Sequence, residues 1–85
     1  MIINLHKEFI KRYKKLKPNE KRKFKERRNI FIKDEFDPIL NNHSLKGKHQ
    51  GYRSINVTGD LRVLYKKEND IVTFVIIDSH SNLYR

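Results

Sequence analysis

Tyr52-Arg53-Ser54-Ile55-Asn56-Val57-Thr58-Gly59-Asp60-Leu61-Arg62-Val63-Leu64-Tyr65-Lys66 is the stretch that decides the fold. Two strand-like runs, Tyr52–Val57 and Leu61–Lys66, flank Thr58-Gly59-Asp60, which reads as a hairpin loop. Strand side chains alternate between faces, so loop length decides which residues share one. A two-residue loop would set Arg62 beside Ile55 and Val57 and bury a charge. A three-residue loop pairs Val57 with Leu61. Ile55, Val57, Leu61, Val63 and Tyr65 then form one apolar face, and Tyr52, Ser54, Asn56, Arg62, Leu64 and Lys66 the other. Only this parity gives a clean core, and it predicts Gly59 at or near a left-handed position. Arg53 falls on the core side near the strand end, where it must bend outward or pair with an acid.

Upstream lies a loop in which His43, Lys46, Lys48 and His49 surround Gly47. Downstream, Glu68-Asn69-Asp70 is a turn, and Ile71–Ile77 is almost wholly apolar, the pattern of a central strand buried on both faces. The tail, Asp78 to Arg85, carries His80 and Tyr84 just beyond that strand. Histidines, lysines and an arginine on a small sheet suit chemistry on a phosphodiester.

At the start, Ile2-Ile3-Asn4-Leu5 suggests a short strand. Leu5, Phe9, Tyr13 and Leu16 then recur at helical spacing. Pro18 should close this helix, and Asn19 is positioned to cap a second one over about Glu20 to Lys33. Its apolar residues are Phe24, Ile30, Phe31 and Ile32. Asp34 to Pro38 breaks the pattern, and Ile39-Leu40 can seal the core edge. The order is β-α-α-β-β-β, an α+β fold with two N-terminal helices on one face of a small antiparallel sheet.

Eighty-five residues make one domain, 1–85. The absence of cysteine excludes disulfides and thiolate metal sites. His43 and His49 lack a helical ligand spacing, so neither a metal nor another cofactor is expected. No apolar run is long enough to span a bilayer, and no signal-peptide pattern opens the chain, so a cytoplasmic protein without a membrane role is expected. The net charge of +10 is unevenly spread. Residues 1–33 hold thirteen Lys and Arg against Glu8, Glu20 and Glu26, whereas residues 34–85 hold seven of each sign. The excess therefore sits wholly on the N-terminal third, which is mostly helix. Such a block attracts polyphosphate backbones, and Lys21, Arg22, Lys23 and Lys25 are the candidates for that contact. The plainer reading is a solvated helical face.

Four segments together, His43-Ser-Leu-Lys-Gly47, Gly51-Tyr-Arg53, Gly59-Asp-Leu-Arg-Val-Leu-Tyr65 and Ser79-His-Ser-Asn-Leu-Tyr84, give the chain a family likeness. It resembles the RelE/ParE superfamily of bacterial toxins, and within it the YafQ-like branch. The resemblance covers essentially the whole chain and implies an mRNA interferase, a metal-independent endoribonuclease acting in the A site of the 70S ribosome. It also implies a cognate antitoxin as partner, with mRNA and ribosomal RNA as the nucleic acids engaged. His43, Asp60, His80 and Tyr84 match YafQ-like active-site positions, Tyr84 in place of a common Phe. Arg62 matches a RelE-like phosphate-binding arginine. Asn56 stands where that branch tends to have a histidine, and Ile76 where it carries an arginine.

Cleavage without metal must deprotonate the 2′-OH, stabilise the pentavalent phosphate and protonate the leaving 5′-oxygen. Histidine suits both transfers because its unperturbed pKa is about 6.5. His43 and His80, helped by Asp60, are assigned the protons, Arg62 the phosphate, and Tyr84 a base or the 2′-OH. Lys46, Lys48, His49, Arg53 and Asn56 are assigned further RNA contacts. Each has a plainer reading: His43 as a turn cap, His49 as a surface residue, Asp60 as a hairpin residue, His80 and Tyr84 as packing. Two other functions fit the same fold, a ParE-like inhibitor of DNA gyrase and a degenerate member that only binds RNA or antitoxin.

Overall fold

The computed structural model describes residues 1–84. Five strands form one sheet in the order β1-β5-β4-β3-β2, where β1 is Ile2–Leu5, β2 His43–Ser44, β3 Arg53–Asn56, β4 Leu61–Glu68 and β5 Ile71–Ser79. The helices are α1 (Lys7–Tyr13), α2 (Pro18–Lys33) and α3 (His80–Leu83). The α+β class and helix-first order agree with the sequence. The sheet is not purely antiparallel, because β1 runs parallel to β5. The two-residue β2 and the four-residue α3 are also additions to the expected order.

The hairpin has the three-residue register. Ile55 pairs with Val63 and Asn56 with Arg62, and Val57 N–H donates to the Leu61 carbonyl at 2.8 Å. Ile55, Val57, Leu61, Val63 and Tyr65 are all buried. They pack with Phe9, Phe24 and Phe31 from α1 and α2 in one core. Arg62, of opposite parity, therefore faces away from the helices. Gly59 is not left-handed; positive φ belongs to Gly47 (66°) and Gly51 (93°) in the loop before β3. Thr58 does the turning instead, its Oγ1 accepting from Leu61 N at 2.9 Å.

β5 is interior in the sheet, but it is not buried on both faces. Val72, Phe74 and Ile77 are buried, Ile71 is exposed, and Thr73, Val75 and Ile76 are half-buried. Leu64 pairs with Ile76 but Tyr65 with Phe74, so Val75 is an extra residue, a β-bulge. The bulge shifts parity and keeps Phe74 on the core face beside Tyr65.

The helix ends also differ from the sequence reading. α1 stops at Tyr13, and Leu5 belongs to β1 and is exposed. Pro18 does not close α1 but opens α2 at its first turn, with Lys17 rather than Asn19 at the cap. Glu20 reaches back to Lys17 N at 2.9 Å. Leu40 enters the core, whereas Ile39 stays exposed. No helix among the described residues is long and apolar enough to cross a membrane.

The segment after α2 is fastened to the sheet by a polar network. Tyr65 Oη donates to Glu35 at 2.7 Å, Lys67 Nζ donates to the same carboxylate at 2.7 Å, and Asn42 Nδ2 donates to Tyr65 Oη at 2.7 Å. Arg53 Nε donates to Asn42 Oδ1 at 2.8 Å and stacks its guanidinium over Phe36. Arg53 thus reaches Glu35 through Asn42. Burial pushes the Glu35 carboxyl up, but the bonds from Lys67 and Tyr65 and the charges of Lys67 and Arg53 outweigh it and hold the group below its ordinary value. Burial, reinforced by Glu35, pushes the Tyr65 hydroxyl up to about 12 despite the Asn42 bond.

Candidate active site

The face of the sheet opposite the helices holds a cavity of about 380 Å³ lined by Asn41, His43, Leu45, Ser54, Arg62, His80 and Tyr84. Four side chains singled out in the sequence, His43, Arg62, His80 and Tyr84, meet there although they are spread over β2, β4 and the C-terminal turn.

The loop 58–61 organises two of them through its backbone. Arg62 Nη1 donates to the Thr58 carbonyl at 2.8 Å and the Leu61 carbonyl at 3.2 Å, and Nη2 donates to the Gly59 carbonyl at 3.1 Å. The remaining carbonyl, of Asp60, accepts from His80 N at 2.8 Å. A guanidinium has five N–H donors. Three are used to fix its plane, and those on Nε and the second Nη2 hydrogen remain. No carboxylate among the described residues forms an ion pair with Arg62. The Asp60 side chain does not line the cavity, so the contribution the structure supports for this residue is its main-chain carbonyl.

His43 stands on β2, which pairs with β3 opposite Ser54. Its Nδ1 lies 2.8 Å from the Asn41 carbonyl. A carbonyl only accepts, so Nδ1 carries a proton and the neutral ring has its lone pair on Nε2. Asn41 directs its carbonyl there from a left-handed backbone, φ 46°, at the end of a single helical turn, Pro38–Leu40.

α3 begins at His80, with Ser79 as N-cap accepting from Asn82 N at 3.2 Å. One helical turn brings Tyr84 back to His80, with ring centroids 4.7 Å apart. His49 closes the other side: its ring meets Tyr84 edge-on at 5.7 Å, and Nε2 donates to the Leu83 carbonyl at 2.9 Å. His49 is therefore a partly buried brace for α3 rather than a surface residue. Ser54 Oγ and Tyr84 Oη are buried at the cavity without a hydrogen-bond partner among the described residues; Asn56 Oδ1 is likewise buried and unpartnered among them, but Asn56 does not line the cavity. Buried polar atoms of this kind are costly unless a ligand or solvent satisfies them.

Other candidates lie apart. Lys46 and Lys48 are exposed on the loop and do not line the cavity. Arg53 serves the polar network on the core side, and Ile76 is half-buried opposite Leu64. On α2, Arg22 and Lys25 are exposed, Lys21 sits 5.7 Å over the Tyr13 ring, and Lys23 pairs with Glu26 at 3.4 Å. Asn41 and Leu45 were missed by sequence reasoning, and Ser54 was placed on the face of Arg62 without a role. The pairing of Ser54 with His43 was hidden because β2 is only two residues long.

A family model, "Bacterial toxin of type II toxin-antitoxin system, YafQ", matches residues 1–85. The chain belongs to the YafQ family of bacterial toxins. Among solved structures, YafQ from E. coli strain BL21(DE3) superimposes with a TM-score of 0.83 at 21% identity, covering 98% of this chain and 97% of that one. The E. coli DinJ-YafQ complex gives 0.76 at 22% identity, covering 98% and 97%. A YoeB/ParE toxin from Agrobacterium tumefaciens gives 0.78 at 16% identity, covering 94% and 99%. These likenesses show the fold. No curated protein sequence matches the chain.

Proposed function

We propose that this YafQ-family chain is an endoribonuclease that cleaves messenger RNA on the ribosome without a metal. The observation that carries this reading is the convergence of two histidines, a tyrosine and a backbone-oriented arginine on one open cavity. His43 is the base: its Nδ1–H is occupied by the Asn41 carbonyl, which points the Nε2 lone pair at a substrate. It takes the proton of the 2′-OH, the 2′-oxygen bonds to the adjacent phosphorus, and the bond from phosphorus to the 5′-oxygen breaks. His80 supplies the proton to that leaving oxygen. The products are a 2′,3′-cyclic phosphate and a 5′-hydroxyl end. The two unengaged donors of Arg62 meet the phosphate oxygens as charge builds in the transition state. Ser54 and Tyr84 offer their unpaired hydroxyls to the ribose or base.

A cytoplasmic setting and a cognate antitoxin follow from the same reading. The E. coli relative is seen in complex with DinJ, and an acidic partner matches a chain carrying +10. Induction in cells with mapping of message 5′ ends tests the chemistry. New 5′-hydroxyl ends should appear with the wild type and fall roughly 10²–10⁴-fold with His80→Ala. Unchanged cleavage by that variant removes His80 from the mechanism. Growth arrest without new ends, with loss of DNA supercoiling, identifies a gyrase inhibitor instead.

A further inference from the structure

Asp78 stands opposite Arg62 in the β4–β5 register. Cross-strand partners of opposite charge at this spacing ordinarily attract each other. Here they do not pair. The Asp78 Oδ2 is held instead by Arg12 Nη1 from α1, and Arg12 Nε donates to Glu8 Oε1 at 3.1 Å. The other oxygen, Oδ1, accepts from Ser79 N at 2.7 Å and Asn82 Nδ2 at 3.0 Å, one residue leading into α3 and one within it. One carboxylate therefore joins α1 to the start of the helix that carries His80 and leads to Tyr84. Neither Arg12 nor Asp78 lines the candidate active cavity.

We propose that Arg12 is a positioning residue: by holding Asp78 it fixes the origin of α3 and keeps that carboxylate off Arg62, so His80 and Arg62 address the same phosphate. This rests on the RNA-cleavage reading. A four-residue helix has no stability of its own, so its placement depends on such tethers. Without Arg12, the Asp78 charge can turn to its cross-strand neighbour and occupy the two guanidinium donors that the phosphate needs. Arg12 thus acts through Asp78 and touches no substrate.

The test compares Arg12→Ala, Arg12→Lys, Asp78→Asn and the double variant Arg12→Ala/Asp78→Asn, each checked for folding by its urea midpoint. Asparagine keeps the Oδ1 acceptor for Ser79 and Asn82 but removes the charge. Message cleavage on ribosomes should fall roughly 10²-fold in Arg12→Ala, the size of effect that a small displacement of reacting groups produces. Arg12→Lys should retain most of the activity. The double variant should recover about tenfold over Arg12→Ala, chiefly in KM, because the competing charge is gone. A purely structural role for Arg12 predicts no such recovery. Amide hydrogen exchange of residues 80–84 gives a readout independent of cleavage: protection should drop in Arg12→Ala and return in Arg12→Lys. Wild-type activity in Arg12→Ala, or a double variant no better than the single, overturns the proposal. If the wild type cleaves no message, the cleavage reading fails, and unchanged exchange in Arg12→Ala separately removes the tether.

Discussion

Tyr65 is fully buried, yet its hydroxyl donates to Glu35 and accepts from Asn42. Tyr65→Phe keeps the ring among Phe31 and Phe74 and deletes only the oxygen, leaving Glu35 and Asn42 each short of a partner. The expected cost is about 1–3 kcal/mol, read as a lower urea midpoint at unchanged slope. The same pair gives the fold a signature in pH. Glu35, held below its ordinary value, contributes stability that is present above that value and lost as pH falls through the folded pKa. Tyr65, raised from 10.0 to about 12, contributes stability that is complete below pH 10 and lost between 10 and 12. Chemical denaturation across that alkaline window should show the loss in the wild type and not in Tyr65→Phe. Arg53 shows what sequence reasoning reached here and what it missed. Its conflict with a buried face was visible from strand parity alone. Its resolution through Asn42 and Phe36 was not, because those residues come from a connecting segment whose path no periodicity fixes.

The elements divide in the same way. The β3–β4 hairpin was legible because alternation and a short loop allow only one parity without a buried charge. β5 was legible as an interior strand but not in which residues it buries, because an unbroken apolar run has no phase, and the bulge at Val75 shifts phase part-way along. The parallel pairing of β1 with β5 leaves no mark in a four-residue strand. α3 was signalled only by Ser79, an ordinary cap residue inside what read as a tail. The candidate site inherits this pattern: His43, Arg62, His80 and Tyr84, singled out for their chemistry, line one cavity, whereas Asn41 was not singled out and His49, assigned an RNA contact, instead bonds the Leu83 carbonyl. The loop before β3 carries a prediction at this scale. Gly51 has φ of 93°, a region that resists any side chain, although a Cβ there would meet nothing within 4 Å. Gly51→Ala should therefore cost about 1–2 kcal/mol through backbone strain alone. Because this loop carries His49 to α3, the loss should accompany weaker exchange protection near Leu83. Stability equal to the wild type would show that the loop readily adopts another path.

Across the whole molecule, the candidate cavity and the excess of basic charge occupy opposite faces. The cavity opens on the side of Arg62, while the +10 excess sits within residues 1–33 on and around the two helices behind the sheet. A substrate strand bound only in the cavity would leave that charge unused, since among the described residues Arg62 is the cavity's single Lys or Arg. On the RNA-cleavage reading, a structured RNA that surrounds the protein would engage both faces at once. Counterion release makes the two faces separable, because each phosphate a basic side chain neutralises steepens the salt slope of binding by about 0.7–0.9. Arg22 and Lys25 are exposed, whereas Lys21 and Lys23 are partly engaged with Tyr13 and Glu26. Arg22→Gln with Lys25→Gln should thus remove most of what the four-residue cluster contributes. Ribosome binding measured between about 50 and 200 mM salt should weaken and its slope should flatten by about 1–2, with the urea midpoint unchanged. Arg62→Gln should instead abolish cleavage while leaving the slope within about one unit of the wild type. An unaltered slope in the helix variant would reduce the basic face to a solubilising surface and leave the cavity to recruit RNA by itself.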